Sequence, residues 1–156
     1  MNVRYTIDGV GTATEAGPGE SLMDVLRRLG HTSVKNGCDR GDCGSCAVLV
    51  DGRAINACLV FAVQVNGAAI GTIEGLARGG ELHPLQAAAL DGSAIQCGFC
   101  TPGMLITALD LLSRNPEPDE AAVRTALSGS FCRCTGYVKP VEAILAAAAA
   151  MLERRP

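Results

Sequence analysis

Eight of the 156 residues are cysteine, and they form two groups of four rather than being scattered along the chain. The first group is Cys38, Cys43, Cys46 and Cys58, with four, two and eleven residues between successive members. The second joins Cys97 and Cys100, two residues between them, to Cys132 and Cys134, one residue between them. Four thiolates are the donor set of a tetrahedral zinc site or of an iron–sulfur cluster, because deprotonated sulfur is a soft, polarisable ligand. Disulfides are the other use of cysteine. Residues 1–10 lack the basic stretch and apolar run of a secretory signal, and Arg27-Arg28 lies inside a helical pattern with no apolar run after it. The chain is therefore read as cytoplasmic, a compartment that keeps thiols reduced. A bridge between Cys132 and Cys134 is also sterically poor, since alternate residues of an extended stretch are held too rigidly to close.

The first group is close to the plant-type ferredoxin spacing, in which three cysteines wrap one loop around a [2Fe–2S] cluster and a fourth arrives from elsewhere. Gly37, Gly41 and Gly44 are interleaved with the cysteines, so the backbone can fold tightly and aim N–H groups at sulfur. Such bonds stabilise an anionic cluster. Zinc sites usually join two C-x2-C pairs or add histidine, whereas here His31 lies well ahead of Cys38 and no second pair completes the set. The second group, taken alone, fits zinc or iron–sulfur equally.

Other chemistries find little foothold. The net charge is −3 with mixed signs, which offers no basic groove for nucleic acid. The most apolar tail, residues 141–152, is too short to span a membrane and contains Glu142. No Ser/His/Asp grouping, phosphate loop or carboxylate pair is present, so no catalytic residue is assigned and substrate oxidation is expected on a partner. His31 and His83 are read as structural, the latter at a helix start before Pro84. Arg133 is either a surface charge or an offset to a cluster's negative charge.

The elements that must position the thiols read as follows. Residues 3–7, the Asp8-Gly9 turn and residues 10–14 make a hairpin, since Asp-Gly supplies the positive φ angles of a two-residue turn. Ser21 caps a helix with Leu22, Val25, Leu26 and Leu29, which Gly30 ends. The glycine-rich loop 37–46 follows, then a hairpin of residues 47–50 and 53–57 about Asp51-Gly52, and a last strand over 69–73. Strands with one helix make this half α+β. Beyond a flexible link at 77–80, helices are expected over 85–90, from Pro102 under a Thr101 cap to Asn115-Pro116, over 119–127, and over 140–152. The helix from Pro102, with Leu105, Ile106, Leu109 and Leu112, and the last, with Val141, Ile144, Leu145, Ala148 and Leu152, each carry an apolar stripe. Aromatic residues are only 3% of the chain, so small aliphatic side chains must fill the core.

Three stretches carry a resemblance. Residues 37–46, the run Gln96-Cys97-Gly98-Phe99-Cys100-Thr101-Pro102-Gly103-Met104, and Cys132-Arg133-Cys134-Thr135-Gly136-Tyr137 are similar to the small iron–sulfur subunit of molybdenum hydroxylases. That family includes xanthine dehydrogenases, aldehyde oxidoreductases, aerobic carbon monoxide dehydrogenases and N-heterocycle hydroxylases. Thr72-Ile73-Glu74-Gly75-Leu76 and Leu82-His83-Pro84-Leu85-Gln86 extend it over nearly the whole chain. It departs at Ser128-Gly129-Ser130-Phe131, where the family leads one to expect Gly-Asn-Leu.

The resemblance implies a plant-type ferredoxin-like β-grasp domain over residues 1–76, a helical domain over 77–156 with four helices, and one [2Fe–2S] cluster in each. It implies a large molybdopterin-binding subunit and a medium FAD-binding subunit, in a heterotrimer or a dimer of heterotrimers. Gln96 and Cys134 would contact the pterin, and electrons would pass through the helical-domain cluster, then the N-terminal one, to FAD. The alternative is a free-standing ferredoxin-like carrier, with a zinc-stabilised interaction module as a third reading. Residues 61–68 resemble carbon monoxide dehydrogenase small subunits, whereas residues 134–141 resemble purine and aldehyde enzymes, so the substrate class stays open. The two groups together predict about four iron and four acid-labile sulfide per purified chain. Elemental analysis that finds zinc in place of iron contradicts the iron–sulfur reading.

Overall fold

The structure, a computed structural model, describes residues 1–154. Its first half builds one mixed sheet of five strands. β1 (Asn2–Ile7) and β2 (Val10–Glu15) pair antiparallel around Asp8 and Gly9, whose φ angles of 50° and 86° are those a two-residue turn demands. β3 (Ala47–Val50) and β4 (Arg53–Asn56) repeat the device at Asp51 and Gly52, with φ of 48° and 82°. β5 (Ala69–Gly71) lies between the hairpins, parallel to β1 and antiparallel to β3, giving the order β2-β1-β5-β3-β4.

Side chains of β1 alternate, so Val3, Tyr5 and Ile7 enter the core while their neighbours face water. Against them pack Leu22, Met23, Val25 and Leu26 of α1 (Leu22–Arg28), all buried. Ser21 caps this helix by accepting the Asp24 N–H, and Gly30, at φ 99°, follows its end. The last strand is shorter than expected. It stops at Gly71, and Ile73 falls in a 3-10 turn (Ile73–Gly75). Asp8 is the cause: its carboxylate accepts both the N–H and the hydroxyl of Thr72, at 2.7 Å each, which draws the chain out of the ladder. Residues 61–68, given no element from sequence, contain a 3-10 turn (Ala62–Val65) whose Ala62 carbonyl accepts the buried Tyr5 hydroxyl at 2.9 Å.

The second half is α2 (Pro84–Asp91), α3 (Thr101–Arg114), α4 (Glu120–Ala126) and α5 (Val138–Glu153). Leu85, Met104, Leu105, Ala108, Val123, Val141, Ile144 and Ala147 form its core, and Ile73 packs on it from the linker. His83 caps α2, accepting the Leu85 N–H while Gln86 accepts the His83 N–H. Two boundaries differ from expectation. The N-cap of α3 is Cys100, not Thr101, which is its first helical residue. α5 starts at Val138 rather than Pro140, because a proline within the first turn removes an N–H that has no helical partner anyway. No helix among the described residues is long and apolar enough to cross a membrane.

α3 ties the halves together by lying against β3. Asp110 of α3, 7% exposed, is held by Arg53 of β4 at 3.1 Å and by Arg114 at 3.0 Å. In the first turn of α3, a Cβ on Gly103 would overlap the carbonyl oxygen of Gly44. Helix propensity alone favours alanine at an interior helix site by about 1 kcal/mol. The clash is between two backbones and has nowhere to relax, and such overpacking costs about 1–3 kcal/mol. Gly103→Ala is therefore expected to destabilise the protein in urea unfolding, and a neutral or stabilising result would show that the two halves do not meet there.

Candidate functional site: two sets of paired thiols

The loop of residues 37–46 coils on itself through left-handed residues at Asp39, Gly41 and Gly44, with φ of 55°, 84° and 68°. The coil directs N–H groups inward, and the Cys43 N–H reaches the Cys38 sulfur at 3.4 Å. A Cβ on Gly37 would stand 2.8 Å from the Cys43 sulfur, so only glycine leaves that space free. Cys58 sits in a 3-10 turn (Ala57–Leu59) and its thiol comes within hydrogen-bonding reach of Cys46. The Ala57 N–H bonds the Cys46 carbonyl, and Asn56 donates to the Gly41 carbonyl at 3.1 Å, so the turn is fastened to the loop on both sides.

The second set meets at the ends of helices. Cys97 and Cys100 lie on the loop before α3, and Cys132 and Cys134 on the loop before α5. The Cys100 thiol is within reach of Cys132, and that of Cys134 within reach of Cys97. The structure sets each cysteine of one loop against one of the other. Cys97 and Cys134 are exposed, whereas Cys100 is buried. Gln96 is exposed beside Cys97, and Arg133 is exposed between its two cysteines.

All eight thiols are free, and each set has one ready donor. The first set has one reluctant thiol, Cys46, and the second has two, Cys100 and Cys134, the latter raised by its bond with Cys97. N–H groups of Arg40 and Cys43 lower the Cys38 thiol to about 7. Burial pushes Cys46 up to about 12 and does the same to Cys100, where the neighbouring Cys132 adds to it. Burial also works on Cys132, but the Thr135 hydroxyl and N–H outweigh it and hold that thiol at about 7. Only the thiolate binds metal, so loading each set releases protons, least readily from the buried cysteine.

This donor set fits a two-iron cluster. The thiols come in twos: Cys38 with Cys43, Cys46 with Cys58, Cys97 with Cys134, and Cys100 with Cys132. A [2Fe–2S] core spreads four thiolates over two irons in that way.

The two sets touch through backbone. The Phe131 N–H donates to the Cys43 carbonyl at 2.9 Å, joining the residue before Cys132 to a cysteine of the other loop. A Cβ on Gly44 would overlap the Gly129 carbonyl, so residues 128–131, where the sequence departs from the family pattern, rest directly on the first loop. Spacing gave no hint of this contact, because backbone bonds leave no residue-type signature. The polar network around Cys132, formed by Thr135 and Tyr137, was also unassigned.

Comparison with known proteins agrees with this geometry. Residues 5–66 match the model of a 2Fe-2S iron-sulfur cluster binding domain, and residues 72–145 match that of a [2Fe-2S] binding domain. The chain is 41% identical to the nicotinate dehydrogenase small FeS subunit of Eubacterium barkeri over 140 residues, 89% of each chain. It is 42% identical to the xanthine dehydrogenase iron-sulfur-binding subunit of Escherichia coli O157:H7 over 147 residues, covering 93% of this chain and 92% of that one. The crystal structure of quinoline 2-oxidoreductase from Pseudomonas putida 86 contains a chain that superposes with a TM-score of 0.94 at 43% identity, covering 100% of this chain and 98% of that one. The ferredoxin-like half followed by a helical half is thus the architecture of that structure as well, and a free-standing ferredoxin finds no support. The chain belongs to the family of small iron–sulfur subunits of molybdenum hydroxylases, with two [2Fe–2S] domains and an electron-transfer role in an oxidoreductase complex.

Proposed function

We propose that Cys38, Cys43, Cys46 and Cys58 hold one [2Fe–2S] cluster, that Cys97, Cys100, Cys132 and Cys134 hold the other, and that electrons enter by the second set and leave by the first. Each bound cluster supplies one-electron chemistry, so a two-electron substrate oxidation is drained in single steps. The observation that carries the reading is the 2.9 Å bond from the Phe131 N–H to the Cys43 carbonyl. It gives the chain a short backbone bridge between the two sets, running Cys132 to Phe131 to Cys43.

The two ends of this relay differ. At one, exposed Cys97 and Cys134 lie with the exposed Gln96 next to Cys97 in the chain. This end faces a large molybdopterin-binding subunit, with Gln96 and Cys134 against the pterin. At the other, Leu59 and Phe61, 62% and 49% exposed, flank Cys58, and this end faces a medium FAD-binding subunit. The relatives' printed names, small FeS subunit and iron-sulfur-binding subunit, support an assembly of unlike chains, here a heterotrimer or a dimer of heterotrimers in the cytoplasm. The division into residues 1–76 and 77–156 follows the change from sheet to helices, and gives each end its own domain.

Cys134→Ser is then expected to leave molybdenum reducible by substrate while slowing or blocking electron arrival at FAD, read by stopped-flow spectroscopy of the assembled complex. Gln96→Ala removes one hydrogen bond, about 0.5–1.5 kcal/mol, and is expected to be milder. Normal FAD reduction in a Cys134→Ser complex shown to lack that cluster refutes the order of transfer.

A further inference from the structure

The loop between Cys132 and α5 is held in a conformation that ordinary loop physics disfavours. Gly136 and Tyr137 are both left-handed, with φ of 63° and 68°. For glycine this is free; for a tyrosine the left-handed backbone is strained. Such strain persists only where the surroundings over-determine it. Here they do so through hydrogen bonds. The Tyr137 hydroxyl accepts the Cys132 N–H at 2.9 Å, and the Tyr137 N–H donates to the Thr135 hydroxyl at 3.2 Å. That second bond uses one of the two lone pairs of the Thr135 hydroxyl, whose single proton is donated in a separate contact. The contact is the Cys132 sulfur, 3.1 Å from Thr135 Oγ1. The Thr135 N–H reaches the same sulfur at 3.4 Å.

No side-chain hydroxyl approaches a cysteine sulfur of the first set among the bonds of the described residues; Cys38 receives backbone N–H groups. The Thr135 contact is therefore a feature of the second set. A hydroxyl proton aimed at a thiolate sulfur is worth more when that sulfur carries more negative charge. A cluster gains one negative charge on reduction, and part of it rests on its thiolates. The bond thus favours the reduced form.

We propose that Thr135 is a positioning residue that raises the reduction potential of the helical-domain cluster through its hydroxyl bond to Cys132, with the strained Gly136-Tyr137 turn serving to aim that hydroxyl. The proposal rests on the reading that Cys132 is a cluster ligand and adds which side chain sets the potential of that cluster. Nothing in the contact transfers a proton: the hydrogen stays on Oγ1 in both states. Thr135→Val keeps the branched shape and removes the proton; Thr135→Ser keeps the proton; Thr135→Ala removes the hydroxyl without placing a methyl against the sulfur.

The test is an EPR-monitored redox titration of the assembled complex carrying each variant. In Thr135→Val or Thr135→Ala the reduction equilibrium of the helical-domain signal is expected to fall about tenfold, or about 59 mV for a one-electron couple. The N-terminal signal should stay in place, and Thr135→Ser should titrate as the unaltered protein. An unchanged midpoint in the loaded Val and Ala variants, or equal shifts in both signals, overturns the proposal. If neither Val nor Ala loads the cluster while Ser does, the hydroxyl serves assembly instead of potential, and the proposal is likewise overturned. Cys132→Ala serves as the separate control. Survival of both signals in that variant sinks the ligand assignment itself, an outcome distinct from any result at Thr135.

Discussion

The structure depends on a place where backbone meets backbone. Gly44, in the first cysteine loop, lies between Gly103 at the start of α3 and Gly129 before Cys132. A Cβ on Gly103 or on Gly44 would overlap the facing carbonyl oxygen, so both residues must lack one. Because no side chains intervene, the Phe131 N–H can reach the Cys43 carbonyl, and two loops from different halves of the chain become one unit. Ser45 and Ser130, each 3% exposed, flank the contact and leave no room for bulk water. This contact brings the two cysteine loops side by side.

Other interactions hold that contact in register. Arg53 and Asp110 link β4 to α3, but the Arg53 side chain is 64% exposed, so the pair is worth no more than about 1 kcal/mol. A second tie fastens the linker to the sheet. Glu74 accepts the Ser33 N–H at 2.9 Å and pairs with His31 at 3.0 Å, while Asp8 holds Thr72. Burial would raise the Glu74 carboxyl, yet the Ser33 and His31 bonds outweigh it and lower the group below its usual value. A depressed carboxylate stabilises the fold above its unfolded pKa and loses that contribution as pH falls through the folded one. The Glu74 contribution to the linker tie therefore weakens as pH falls. Ile73, between these anchors, packs into the helical core, so the same short segment serves both halves.

Much of this was legible in the residues. The Asp-Gly dipeptides fixed both hairpin turns, since positive φ at both central positions admits few alternatives. The cysteine spacing grouped Cys38, Cys43 and Cys46 on one loop, and the loop does coil through its glycines. The second set was legible only as a group, since its cross-loop pairing depends on where α3 and α5 begin. Those starts were misplaced by the cap at Cys100 and the early entry at Val138. The strand end at Gly71 escaped notice because a distant side chain, Asp8, takes Thr72 out of the ladder. The Phe131 contact and the hydroxyl of Thr135 lie deeper still: one is pure backbone, and the other is aimed by a left-handed tyrosine that no local pattern announces.

The central claim is that the two clusters belong to one rigid unit, held side by side by the Gly44 contact. The most direct measurement is low-temperature EPR of the fully reduced complex, in which paramagnetic centres held close together split one another's lines. The account predicts mutual splitting of the two [2Fe–2S] signals that disappears from the remaining signal when Cys43→Ser removes the N-terminal cluster. Two unsplit signals in the fully reduced, fully loaded protein would contradict it, since the loops would then not be joined as the backbone bond requires.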